Sequence, residues 1–423
     1  MPSRELTDVE AVADLARRDP RLPMLSVLLD DEAFTTWFRT QLGGEVDVRR
    51  RYLRYKPGTS CVVAAELTTA HGRQDVVVAG YSASALVKAE KTLAVAGPGA
   101  VIANDTGRRI LATTPAADRW LPALRLLADP RRRDRHLKRL LHSSVPPASE
   151  GPITTRLSYK PQRRWVGLLH RPHRDPVVLR CYRPQDCASA LESLTRMAAV
   201  PVARQRLIGA DARRGVLALE HVPGRTIEAE HDDAGLREVG RALAGLHAHR
   251  VDGCGPDPQA DSLAVRRAAG QVGRLLPDLA RDVADVAAAV RVRLTPTGPQ
   301  VALHGDFSLD QVIAGPGGLS FIDFDRATRG GAEVDLGSLA SALLVHGDTQ
   351  AVATMAQVLA GYAEVRPVPD EDLLATQTAA HLLRRVAEPF RSCRSDWAGD
   401  VARIVATAAE VLQGVSSPTG GAR

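Results

Sequence analysis

Residues 303–313 read Leu-His-Gly-Asp-Phe-Ser-Leu-Asp-Gln-Val-Ile, and Phe321-Ile322-Asp323-Phe324-Asp325 follows soon after. The polar pieces are an acid, Asp306, an amide side chain at Gln311, and a carboxylate, Asp323, set inside a short apolar run. A carboxylate placed beside a hydroxyl takes its proton as a phosphoryl group is transferred to it. A carboxylate paired with an amide carbonyl offers the hard oxygens that magnesium prefers. Such a transfer asks little covalent work of a protein beyond positioning the reactants and neutralising charge. Asp306 is the expected base, Asp323 the main metal ligand and Gln311 the second. His304 is read as the residue of this centre that holds the loop through side-chain hydrogen bonds. Asp325 either reaches the metal through water or caps the next turn, and Asp310 is read as solvated. Asp335, opening Asp335-Leu-Gly-Ser-Leu-Ala, is expected to cap a helix and brace the loop.

The order and spacing resemble the H-R-D-x-x-x-x-N and D-F-G loops of protein kinases. The elements that would position such loops are readable upstream. Residues 49–64 and 155–168 each contain Tyr-Lys-Pro, a polar turn and a hydrophobic strand, a hairpin pattern. Val76–Tyr81 lines up with Val177–Tyr182, each leads into a helical segment, and a strand pair around a polar turn follows in both. Ordered elements recurring in this way indicate an internal duplication. The copies differ where Arg180 in the second is Ala79 in the first, so the second is expected to be the working lobe and the first a structural cap. Leu121–Leu141 reads as a helical segment between them, and the linker-like stretch at 143–152 suggests a boundary. The expected domains are a cap at 1–150, a nucleotide-binding N-lobe at 151–228 and a helical C-lobe at 229–423.

The apolar strand Val216–Glu220 runs into His221-Val222-Pro223-Gly224, the place expected for a hinge whose backbone groups meet a nucleotide base, so Glu220, His221 and Val222 are candidate binding residues. Leu236, Val239, Leu243 and Leu246 recur at helical steps, with His247 read as a core or capping residue. Further helices are expected at 262–276, 279–294, 335–345, 349–365, 370–390 and 398–413.

His304-Gly-Asp306 with Gln311, Ile322-Asp323-Phe324-Asp325, Asp335-Leu336-Gly337, the hinge strand and Leu-Ala-Gly-Leu-His247 together resemble the aminoglycoside phosphotransferase and choline kinase superfamily over roughly residues 155–390. The resemblance implies an α+β, two-lobed protein-kinase-like fold. It also implies transfer of the terminal phosphate of ATP or GTP, with magnesium, to a small-molecule hydroxyl. Gln311 stands where most of that family has Asn; bacterial maltokinases are similar in using Gln there and in carrying an N-terminal cap region. Arg180 stands where the family usually has Lys, and arginine grips phosphate by a fork rather than a point charge. Lys160 on the neighbouring strand is the alternative phosphate contact. The late helices of the C-lobe are implied to line the acceptor pocket, which nominates Arg384, Glu388 and Arg391, with His381, Arg385 and Trp397 nearby; Asp325, on the metal loop, is a further candidate substrate contact. Two other readings remain open: a non-catalytic pseudokinase acting as a binding module, and an antibiotic-inactivating phosphotransferase.

The bulk numbers agree with that class. A chain of 423 residues carrying a net charge of +6 is basic, with its basic residues spread along the sequence and only Arg131–Arg135 forming a run. Aromatics at 4% are too sparse for a base-stacking platform, so nucleic acid is not the expected partner; an anionic nucleotide and a small acceptor are. No apolar run approaches a membrane span, the start lacks signal-peptide character, and the five scattered cysteines form no C-x-x-C pair, so a cytoplasmic protein without a zinc site or disulfide framework is expected.

Overall fold

A computed structural model describes residues 7–142, 154–171, 173–227, 233–251, 258–294, 299–345, 347 and 349–414. The linker expected at 143–152, and Cys254, lie outside them. Helix α1 (Asp8–Arg18) opens at a capping box in which Thr7 and Glu10 satisfy each other's backbone N–H groups. Helices α2 (Leu25–Leu28) and α3 (Asp31–Leu42) then lead into strands β1 (Asp47–Lys56), β2 (Ser60–Thr69) and β3 (Gly72–Tyr81). Helix α4 (Val87–Leu93) and strands β4 (Val101–Asp105) and β5 (Ile110–Thr113) complete this unit. The same series follows as α5 (Pro122–Ala128), α6 (Pro130–Leu141), β6 (Thr154–Lys160), β7 (Arg164–Arg171), β8 (Arg174–Tyr182), α7 (Pro184–Met197), β9 (Leu207–Asp211) and β10 (Val216–Glu220).

The two five-stranded antiparallel sheets have matching strand orders, β1-β2-β3-β5-β4 and β6-β7-β8-β10-β9. The likeness extends to single hydrogen bonds. In the turn after each Tyr-Lys-Pro, Gly58 and Gln162 have the same left-handed φ of 62°. The Asp19 carboxylate accepts from the Tyr55 hydroxyl and the Gly58 N–H, both at 2.7 Å. The Asp118 carboxylate accepts from the Tyr159 hydroxyl at 3.0 Å and the Gln162 N–H at 2.7 Å. Asp19-x-x-Leu22-Pro23-x-Leu25 therefore corresponds to Asp118-x-x-Leu121-Pro122-x-Leu124. The repeats begin at these aspartates, so the helices expected to connect the copies are the opening of the second.

Strand alternation explains how the units stack. In the first sheet Cys61, Val63, Ala65, Val76 and Val78 share a core with α2 and α3. Val62, Ala64, Val77 and Ala79, on the opposite face, share one with α5 and α6. In the second sheet Val177, Leu179 and Cys181 face α5 and α6. Val178, Arg180 and Tyr182 alternate with them and so lie on the face turned to the C-lobe.

The C-lobe adds β11 (Arg225–Thr226), α8 (Asp233–His247), α9 (Pro258–Leu275), α10 (Ala280–Arg293) and β12 (Val301–Leu303). Then come β13 (Val312–Gly315), β14 (Gly318–Phe321), β15 (Thr328–Gly330), α11 (Glu333–Val345), α12 (Ala351–Ala363), α13 (Glu371–Arg385), α14 (Glu388–Arg391) and α15 (Trp397–Gly414). The single helix expected over 370–390 is broken after Arg385, and the chain restarts as α14 with Pro389 in its first turn, where a missing N–H is harmless. Phe307, Phe321 and Phe324 pack with α8, α11 and α12 in the C-lobe core. The first unit also closes onto this lobe: Asp8 accepts from the Trp397 and Ala398 N–H groups, and Arg18 donates to the carbonyls of Arg274 and Leu275. The fold is α+β, a β-rich N-lobe on a mainly helical C-lobe, preceded by a duplicate of the N-lobe. Among the described residues no helix is long and apolar enough to cross a membrane.

Candidate active site

The catalytic-type loop is tied to a fully buried carboxylate. Asp335 lies in the first turn of α11, which begins two residues earlier at Glu333, so it is not the helix cap that its sequence position suggests. Its oxygens accept from the His304 N–H at 2.7 Å and the Gly305 N–H at 2.8 Å. His247 Nε2 lies 3.2 Å from Asp335 Oδ2, and the other ring nitrogen bonds the Tyr362 hydroxyl at 3.0 Å, which makes His247 a core residue with a bracing task. Burial would raise Asp335, but the His247 hydrogen bond and charge, His304 and the Gly305 amide together hold its carboxyl below the usual range. His304 Nε2 in turn bonds the Ile322 carbonyl at 2.7 Å, lacing this loop to the one that carries Asp323. Gly305 has φ 86°, and a Cβ there would stand 2.1 Å from the Arg326 carbonyl oxygen, so the turn into Asp306 requires glycine.

Asp306 is partly exposed between two guanidiniums, Arg385 and Arg326, each at 3.2 Å. The Gln311 N–H is turned back onto its own loop, its carbonyl accepts from the Ile322 N–H at 2.9 Å, and its side-chain Oε1 is buried without a partner. Asp323 adopts a left-handed φ of 68°. Its carboxylate meets Arg180 Nη1 at 2.6 Å, and the same nitrogen reaches Asp325 at 2.7 Å. Arg164 Nη1 adds contacts at 3.3 Å to Asp323 and 3.0 Å to Asp325, and the Tyr182 hydroxyl donates to Asp325. Burial would raise the Asp323 carboxyl; Arg180 and Arg164 overcome it and hold the group well below the ordinary carboxylate range. The cation on the third strand thus sits directly on the carboxylates read as metal ligands.

A cavity of about 620 Å³ lies between the lobes beside the hinge. His221 and Val222 line it with Leu157 and Val178 from the N-lobe and Ile313 and Ile322 from the C-lobe, and Gln205, Arg225 and Thr226 add a polar side. Glu220 is directed elsewhere: its side chain pairs with Arg206 at 2.8 Å, and its carbonyl accepts from Gln205 Nε2. Lys160 ends β6 exposed at the hairpin turn, in register with Arg164, and among the described residues no ion pair draws it toward the carboxylates.

The nominated acceptor-side residues divide. Arg384 pairs with Asp261 on α9, and Arg391 donates to Gln271 on the same helix. Glu388 is 3.9 Å from Arg385. Arg385, one step round the helix from Arg384, is the residue that reaches Asp306. Burial, with the charges of Arg384, Arg385 and Arg326, keeps the His381 imidazole neutral. Trp397 is buried against Phe390 with ring centroids 4.9 Å apart, a core residue. Arg164, Tyr182 and Arg326 were not nominated; the arginine-rich turn at 163–164 was the signal for the first of them.

Among the described residues no group of three or more His, Cys, Asp or Glu could hold a metal by itself. Asp323, Asp325 and the unpartnered side-chain Oε1 of Gln311 nevertheless offer oxygen donors alone, the chemistry that fits magnesium when phosphates and water complete its shell.

Two lobes, a cavity between them, and the loop of Asp306 laced to a left-handed aspartate are the architecture of a protein-kinase-like phosphotransferase. The model of the phosphotransferase enzyme family (APH) matches residues 157–368, half of the sequence, and the chain belongs to that family. No curated protein matches it. Among solved structures the chain is similar to amicoumacin kinase hAmiN in complex with AMP-PNP, Ca2+ and Ami, at 12% identity and TM-score 0.48, covering 69% of this chain and 96% of that one. It is also similar to the microcompartment-associated aminopropanol kinase, at 17% identity and TM-score 0.46, covering 68% and 98%. A third is choline kinase LicA from Streptococcus pneumoniae, at 13% identity and TM-score 0.47, covering 62% and 93%.

Proposed function

We propose that the chain is a magnesium-dependent kinase that moves the terminal phosphate of ATP or GTP to a hydroxyl of a sugar or amino-sugar-like metabolite. The observation that carries this is the meeting of Asp323 and Asp325 on one cation, Arg180, with Asp306 and the buried, unpartnered Oε1 of Gln311 on the loop laced to theirs. Bound magnesium would bridge and neutralise phosphate oxygens there. The nucleotide base lies in the slot at His221 and Val222, and Arg180, Arg164 and Lys160 face its phosphates. Asp306 orients the acceptor hydroxyl and takes its proton late in transfer, Arg385 fixes that carboxylate, and His304 holds the loop. The arginines flanking Asp306 favour a neutral or anionic acceptor over a polycationic antibiotic. Gln311 and the N-terminal unit, both maltokinase-like features, favour a sugar.

The test is nucleoside-diphosphate release across sugars, amino sugars and aminoglycosides, run beside nucleotide titrations. Asp306→Asn is expected to lower turnover by about 10²–10⁴ while magnesium nucleotide still binds. Wild-type-like turnover in that variant removes the base assignment. The pseudokinase reading has one observation in its favour, the occupation of both carboxylates by Arg180. It is supported if no magnesium nucleotide raises the melting temperature of the wild type.

A further inference from the structure

A second cavity, of about 580 Å³, lies where the β1–β2 turn of the first unit, the β6–β7 turn, the start of α7 and helices α9 and α14 meet. It shares no lining residue with the hinge slot. Its charged walls are Arg54, Lys56, Arg163, Arg183, Arg274 and Arg391, against a single carboxylate, Asp186. That carboxylate stands 3.9 Å from Arg183, too long for a hydrogen bond. The other polar partners are neutral: Arg54 donates to Gln162 Oε1, Arg183 to the Gln162 carbonyl and Arg391 to Gln271 Oε1. Among the described residues Lys56, Arg163 and Arg274 enter no ion pair within 4.0 Å. Burial, and then repulsion from Arg183 and Arg163, weaken the hold of Arg54 on its proton. Lys56 is shifted the same way, by burial and then by Arg54.

Six cations gathered round one cavity with a single carboxylate on its wall repel each other, and an anion that enters relieves the repulsion. Guanidinium forks match phosphate oxygens, and Tyr52, Tyr55 and Leu275 give the same cavity a wall for a small organic body. We propose that this seam between the N-terminal unit and the kinase-like lobes is a binding site for a small phosphate ester, separate from the nucleotide cleft. The phosphoryl group belongs either to the acceptor itself or to an independent effector. The site also gives the N-terminal unit a task, since two of the six cations come from the end of its strand β1.

The experiment is calorimetric titration of the full chain with inorganic pyrophosphate and with glucose 6-phosphate, in saturating magnesium AMP-PNP to fill the nucleotide cleft. Binding is expected, and the double variant Lys56→Glu, Arg274→Glu is expected to weaken it at least tenfold. Both side chains are exposed, and far-UV circular dichroism checks that the variant is folded. Absence of binding to the wild type, or equal binding to a folded variant, overturns the proposal. Incubation with magnesium ATP separates the sources: phosphate transfer to glucose 6-phosphate makes the anion the acceptor's anchor, and binding without transfer makes it an effector's. A chain that binds no AMP-PNP would defeat the kinase reading yet leave the titration with pyrophosphate alone to decide this site.

Discussion

Replacing Arg180 by Gln removes the closer and more deeply buried of the two arginines that join both carboxylates of the site. Arg180 is nearly fully buried, and its Nη1 spans Asp323 and Asp325 at 2.6 and 2.7 Å. What remains is Arg164, at 3.3 Å from Asp323 and 3.0 Å from Asp325, so two neighbouring carboxylates keep one cation between them instead of two. Removing one partner of a buried ion pair costs about 3–5 kcal/mol. At roughly 2 °C per kcal/mol for a large domain, the melting temperature should fall by about 6–10 °C in a chelator-containing buffer. The freed carboxylates, with Gln311, then make a site for magnesium that the wild type lacks without nucleotide. A tenfold excess over its dissociation constant returns about 1.4 kcal/mol, or roughly 3 °C. The assay is a thermal melt of both proteins with and without 10 mM magnesium as a chosen condition, nucleotide being absent. A variant that melts with the wild type, or magnesium shifts equal in the two proteins, would refute the idea that Arg180 stands in for the cation.

Gly305→Ala places a Cβ 2.1 Å from the Arg326 carbonyl in a backbone that L side chains rarely adopt. The loop must move, and turnover should fall about 100-fold, the cost of a displacement near 1 Å, while nucleotide affinity measured by titration is kept. Asp335 and Asp323 both have depressed carboxyl groups in the folded state, so their stabilisation is complete above the unfolded value near 3.9 and is lost as pH falls below it. Asp335→Asn sets an amide against two backbone donors and should destabilise by about 2–4 kcal/mol at pH 7, with a shallower loss of stability below pH 4 than the wild type in urea titrations. An unchanged acid limb would show that Asp335 is not a linked group.

The loop from His304 to Asp325 was legible because its members lie close in sequence, so residue type and spacing carry the geometry. Arg180 was legible by comparison with Ala79 in the other copy. The partners of these residues were not. Arg180 and Tyr182 reach Asp325 across 145 and 143 residues, and Arg164 reaches Asp323 across 159. Those pairings follow from how the lobes dock, which no local pattern records. The acceptor-side helix shows the same limit: Arg384 and Arg391 turn to α9, and Arg385 alone reaches Asp306. Choosing among adjacent arginines required the break after Arg385 and the position of α9, both tertiary facts.

The two copies explain why one keeps a cation and the other does not. Each sheet rests one face on its own helix pair and offers the other to whatever comes next in the chain. For the first sheet the next layer is α5 and α6, whose Leu124, Leu137 and Leu140 share a core with Ala79. A charge there would be buried among hydrocarbon without a partner, at a cost of several kcal/mol. For the second sheet the next layer is the C-lobe, whose Asp323 and Asp325 meet Arg180 directly. The brace was free to persist in both copies, because Asp19 and Asp118 act within their own units. The cation stands only on the face that the C-lobe covers, and the first unit retains the fold, its turn and the two cations at the end of β1 that line the seam.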